Sequence, residues 1–145
     1  MNFKLLIISI IFVAFNLNTA KAQDRPQEAD GKGIIFFDGS WQEALIKSKE
    51  ENKPIFLDVW AVWCAPCKML KKNTFPDEEV GKFFNDNFIN LSLDGEKGDG
   101  AELVKKFGIQ AYPSLIILNT EGKPIAYYPG YLKPADFLEF GKTGI

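Results

Sequence analysis

Ile55-Phe-Leu-Asp-Val-Trp60-Ala-Val-Trp-Cys64-Ala-Pro-Cys67-Lys68 is the stretch on which the fold turns. Its first six residues are apolar at every position except Asp58. A short run without alternation fits a central strand covered on both faces. The strand feeds into Cys64-Ala65-Pro66-Cys67, and a helix is expected from Cys64 to about Lys72. Lys68, Lys71 and Lys72 are expected to form one charged stripe there, with Met69 and Leu70 turned toward the core. A helix N-terminus carries unpaired N–H groups and a partial positive charge. A thiolate seated there is stabilised, and the thiolate is the form that attacks a disulfide. A spacing of three puts Cys67 within one turn of Cys64, where it can break a mixed disulfide formed at Cys64. Pro66 lacks an N–H, but in a first turn that donor has no intrahelical partner. Asp58, an acid in an apolar strand, is expected to have a raised pKa. That suits a group that takes the proton from Cys67.

Two plainer readings of the cysteine pair compete. Half a zinc site needs further ligands, and the chain has no third cysteine and no histidine. An inert structural disulfide closing so short a loop constrains the unfolded chain little. The absence of histidine also removes Cys–His and Ser–His–Asp catalysis. No metal and no cofactor beyond the cysteine pair is expected. A net charge of −2 over 145 residues argues against nucleic-acid binding, which needs a basic face.

Outward from this centre, the chain reads as a single domain behind an export signal. Lys4, the 13-residue apolar run Leu5–Leu17 and Ala20-Lys21-Ala22 read as a cleaved signal peptide over residues 1–22, with a retained membrane anchor as the competing reading. The run is too short to span a bilayer, so no stable membrane insertion is expected after cleavage. The product is expected to be periplasmic or secreted, in an oxidising compartment where disulfides persist. Residues 23–33 read as a flexible lead-in and 34–145 as the folded domain.

Within it, Ile34–Phe37 is predicted as a strand. Ser40 and Glu43 have the spacing of a capping box, opening a helix from Trp41 to about Glu51. Pro76 opens a short helix, Phe88–Leu93 is a strand, and Gly95–Gly100 is a loop before a helix over Ala101–Phe107. The Asp94–Gly100 stretch lacks the spacing of a calcium loop and is taken as mobile surface. Strands Ser114–Leu118 and Ile125–Tyr128 flank a hairpin turn, and Pro134 to about Gly141 is a closing helix. The order β-α-β-α-β-α-β-β-α gives an α/β fold, a mixed sheet with helices on both faces.

Phe56–Lys68 resembles the active-site segment of thioredoxins. Gly108-Ile-Gln-Ala-Tyr112-Pro113-Ser114 resembles the later segment that carries that family's cis-proline. The similarity runs from about Ile34 to Gly141 and implies the thioredoxin fold. Asn73-Thr-Phe-Pro-Asp-Glu-Glu-Val80 is similar to exported thioredoxin-like domains, including the C-terminal domain of DsbD-type interchange proteins.

The resemblance implies that Cys64 is an exposed nucleophile, Cys67 a buried resolving thiol and Asp58 the carboxylate behind it. It implies a cis Pro113, with Tyr112 offering backbone groups to an extended client chain. Trp63, Ala65, Pro66, Tyr112 and Pro113 then form the client-binding set, with Trp60 as packing. The family often places a lysine near the buried acid. Alignment by the strand puts Asn90 there, which makes Asp58 harder to ionise.

Ala65-Pro66 resembles the dipeptide of reducing members, and the histidine of oxidising relatives is missing. The expectation is therefore a monomeric protein-disulfide reductase. It acts on client proteins with disulfides and is recharged by a membrane electron donor of DsbD type. The alternatives are a disulfide oxidase or isomerase, and a non-catalytic peptide-binding module.

Overall fold

The computed structural model describes residues 33–145. The expected signal peptide and nearly all of the expected lead-in lie outside the described residues. The elements are α1 (Trp41–Glu51), β1 (Ile55–Trp60), α2 (Ala65–Met69), a π-helical turn (Leu70–Thr74), α3 (Glu78–Asn87), β2 (Ile89–Asp94), α4 (Gly98–Phe107), β3 (Ser114–Leu118), β4 (Pro124–Pro129) and α5 (Pro134–Lys142).

The sheet has the order β2-β1-β3-β4, with β1 parallel to β2 and the other two pairings antiparallel. This is the mixed sheet that alternating units followed by a hairpin demand. Successive side chains of a strand point to opposite faces, and β1 divides accordingly. Ile55, Leu57 and Val59 pack with α1 and α4 through Ala44, Leu103 and Phe107. Phe56 packs on the other face with Leu70, Val80, Phe84 and Phe137, from the π turn, α3 and α5. Asp58 and Trp60 share that second face, the one that α2 covers.

The structure corrects three expected boundaries. Ile34–Phe37 is extended but is not a strand of the sheet. Its backbone is held by Ile34 N–H to Phe75 O (2.8 Å), Ile35 N–H to Asn85 Oδ1 (2.9 Å) and Phe37 N–H to Asn90 O (2.7 Å). One bond to a strand makes no ladder, and the others go to a helix side chain and a helix end. Gly33, placed in the lead-in, is buried against α3, where a Cβ on Gly81 would lie 2.3 Å from Gly33 O.

The second correction concerns the helix after Cys64. It continues beyond Lys72 as a π turn, closed by Phe75 N–H to Leu70 O at 2.9 Å. The helix expected at Pro76 begins at Glu78, capped by Asp77, whose carboxylate accepts from Val80 N–H. Third, α4 starts at Gly98, inside the expected loop. Asp99 of its first turn accepts a hydrogen bond from Trp41 N–H at 2.6 Å, which ties α4 to the start of α1. The capping box of α1 is present as read, with Ser40 and Glu43 bonded reciprocally.

Candidate active site

At the end of β1 the chain turns through Ala61-Val62-Trp63, and Cys64 becomes the N-cap of α2. Cys64 and Cys67 are joined as a disulfide, with Cα atoms 5.3 Å apart. The Cys67 N–H donates to Cys64 Sγ at 3.2 Å, one of the orphan donors of the first turn put to use. In the reduced state the same N–H is placed to stabilise a Cys64 thiolate. Ala65 and Pro66 open α2 and are exposed.

The resemblance implies an exposed Cys64, and here the structure differs. Cys64 is only 1% exposed and Cys67 2%. Both lie in a small apolar cluster with Ala61, against which Trp60 and Tyr112 pack. Tyr112, partly buried, comes to the cluster from the segment before β3. The Tyr112–Pro113 peptide bond is cis, and Pro113 is buried. Trp63 is 64% exposed, and its ring meets that of Tyr112 edge-on at 5.8 Å. Trp60 is packing, as expected, and carries Lys71 Nζ 3.6 Å above its ring.

Asp58 is 1% exposed. Its Oδ2 accepts from Ser92 Oγ at 2.8 Å, and its Oδ1 is buried with no hydrogen-bond partner. Burial pushes its carboxyl up to about 6, against the opposing pull of the Ser92 hydrogen bond and the Lys71 ammonium. The residue facing Asp58 is therefore Ser92, not Asn90. The parallel register pairs Asp58 with Ser92 and Phe56 with Asn90. Asn90 is instead spent on the extended segment, donating to Ile35 O and Asn85 Oδ1. The cation near the acid comes from Lys71, beyond α2 in the π turn. A cavity of about 370 Å³ lined by Ser92, Lys71, Phe36 and Phe75 opens beside this group.

Sequence reasoning missed Ser92, Lys71 in this role, and Glu96. Ser92 could have been found from its place two residues beyond Asn90 on the same strand face. Glu96 had no signal at all. Its Oε1 accepts from Trp63 Nε1–H at 2.9 Å, so the stretch taken as mobile surface is a wall of the site. Gly95 N–H donates to Trp60 O at 2.7 Å and fixes that wall to the end of β1. Among the described residues no group of three or more metal-ligating side chains converges, and no helix is long and apolar enough to cross a membrane.

Comparison with known proteins agrees with this geometry. A family model described as a thioredoxin-like domain matches residues 41–145. DsbD, the thiol:disulfide interchange protein of Yersinia pestis, is 29% identical over 101 residues, covering 68% of this chain. This chain spans only 17% of the length of that relative. A Bacteroides thetaiotaomicron protein proposed as a disulphide-isomerase has a solution structure that superimposes with a TM-score of 0.70. It is 41% identical, over 78% of this chain and 93% of that one. The DsbD C-terminal domain of Neisseria meningitidis in its reduced form is 23% identical and shares the fold, with a TM-score of 0.61 over 72% of this chain and 93% of that one. With its CxxC-spaced disulfide at the junction of β1 and α2, this chain belongs to the thioredoxin-like domain family.

Proposed function

We propose that this protein is an exported thiol:disulfide reductase of client proteins. The observation that carries the reading is the Cys64–Cys67 pair at a helix start, with a buried, partly unpartnered carboxylate on the sheet face beneath it. In the reduced protein the Cys64 thiolate attacks one sulfur of a client disulfide. A Cys64–client bond forms, and the client's other sulfur leaves as a thiolate. Cys67 loses its proton to ionised Asp58 and attacks Cys64 Sγ. The second client sulfur leaves, and the Cys64–Cys67 disulfide forms. Two electrons pass to the client; its two thiolates are protonated from solvent, which also takes back the proton held by Asp58. The client strand lies along the Tyr112–Pro113 backbone, with Trp63, Ala65 and Pro66 completing the contact surface. Residues 1–22 direct export, and a membrane electron donor of DsbD type returns the pair to the dithiol.

The absence of a histidine beside Cys67 favours the reducing direction, because it leaves the dithiol with less stabilisation. The Bacteroides relative favours isomerisation as the second reading, since an isomerase also acts from the dithiol state. Equilibration of Cys64–Cys67 against a glutathione buffer decides the direction. A potential near that of thioredoxin, about −270 mV, is expected, and one near −120 mV, typical of strong oxidants, reverses the assignment. Cys67→Ser is expected to accumulate covalent Cys64–client adducts in the exporting cell, whereas Cys64→Ser yields none. A peptide-binding module keeps its partners in both variants.

A further inference from the structure

The oxidised pair is covered. With Cys64 at 1% exposure, its sulfur presents almost nothing to solvent, and the Tyr112 ring is one of the two aromatic groups packed on the cysteine cluster. That ring is braced from two sides. Behind it, Gly95 supplies a seat that any side chain would fill, since a Cβ there would lie 2.5 Å from Tyr112 Cε1. Beside it, Trp63 packs edge-on. Trp63 is itself held by Glu96 at 2.9 Å, and Glu96 sits in a turn whose N–H bonds Asp94 Oδ1 at 3.0 Å. The phenol lies close enough to Glu96 and Asp94 that burial, then these carboxylates, hold it above its ordinary pKa.

We infer that Tyr112 is a specificity-determining residue that closes the Cys64–Cys67 disulfide to small thiols and phosphines, and that Glu96 is a positioning residue that keeps it closed through Trp63. Entry is left to a polypeptide that engages the Tyr112–Pro113 backbone and shifts the ring as it docks. This rests on the reductase reading for what enters, but not for what is kept out. A covered sulfur reacts only from the fraction of molecules in which the cover is open. The rate of attack by a small reagent therefore measures how firmly the cover is held.

The oxidised protein is reduced with tris(2-carboxyethyl)phosphine under pseudo-first-order conditions, and the disulfide remaining is counted by mass after alkylation. Tyr112→Ala is expected to raise the rate about tenfold or more, and Glu96→Ala about fivefold, the population shift that one net hydrogen bond supports. Glu96→Gln keeps an acceptor for the indole and stays within about twofold of wild type on the same reasoning. Hydrogen exchange at the Trp63 indole N–H, resolved by NMR, is expected to speed up in Glu96→Ala and not in Glu96→Gln. This arm remains decisive if Tyr112→Ala does not fold. Equal phosphine rates in wild type and Glu96→Ala, with indole exchange unmoved, overturn the inference. Exchange of the reduced wild type with a disulfide-bonded peptide is read separately. Its absence removes the reductase reading while leaving the phosphine comparison to decide the cover.

Discussion

Asp58 shows at the scale of one residue how position sets chemistry. The same carboxyl that is charged on any surface is held near neutrality here, because β1 places it between the sheet and α2, where it is buried. Its folded pKa of about 6 lies above the ordinary aspartate value of 3.8. The folded protein therefore holds this proton more tightly than the unfolded chain. The stability that the proton confers is full below pH 3.8, drains away as pH rises toward about 6, and is absent above it. Asp58→Asn is expected to be more stable than wild type by about 2–3 kcal/mol at pH 8 relative to their difference at pH 4, measured by urea unfolding. In the proposed turnover the sign reverses, because the reductase reading has ionised Asp58 accept the Cys67 proton. Ser92→Ala removes a hydrogen bond that lowers this pKa. The acid limb of its pH–rate profile in single-turnover peptide reduction is expected to move to higher pH. An unmoved limb would show that Ser92 does not tune the acid.

Elements differ in how much of themselves they write into the sequence. β1, α1 and β3 have the bounds that the residue pattern indicates, because an unbroken apolar run and a capping box are local signals. The π turn, the start of α4 and the docking of 34–37 are not local. Ile35 bonds an asparagine 50 residues away, and Asp99 caps a helix 58 residues earlier in the chain. The cysteine pair, Asp58 and Pro113 were legible for the first reason, through motif and strand pattern. Ser92, Lys71 and Glu96 were not, because the parallel register and the seating of a loop decide their neighbours. The docking of the extended segment depends on two glycines meeting. Gly81→Ala places a methyl 2.3 Å from Gly33 O and is expected to cost about 1–3 kcal/mol in urea unfolding. Faster amide exchange at Ile34, whose N–H is held by Phe75 O, is expected with it.

Across the whole molecule, two unlike cores sandwich the sheet. The α1/α4 side is mainly aliphatic in its buried members. The side that carries the reactive pair is built on phenylalanines: Phe84 and Phe137 stack at 4.4 Å, and Phe56 meets both rings edge-on at 5.0 and 5.3 Å. Phe137 comes from the last helix and is fully buried, so it couples the C-terminal end of the chain to the strand that bears Asp58. Phe137→Ala is expected to cost about 3–5 kcal/mol, read as a shift of the urea midpoint at unchanged slope.

Gly33 meets the fold at Phe75 and Pro76, just past the π turn, whereas Cys64 begins the helix that runs into that turn. Some ten residues of helical rise, about 15 Å, separate the two. Chain entering the body at Gly33 therefore arrives about 15 Å along the helix from the sulfurs rather than beside them, which leaves the mouth of the site clear of that entry point.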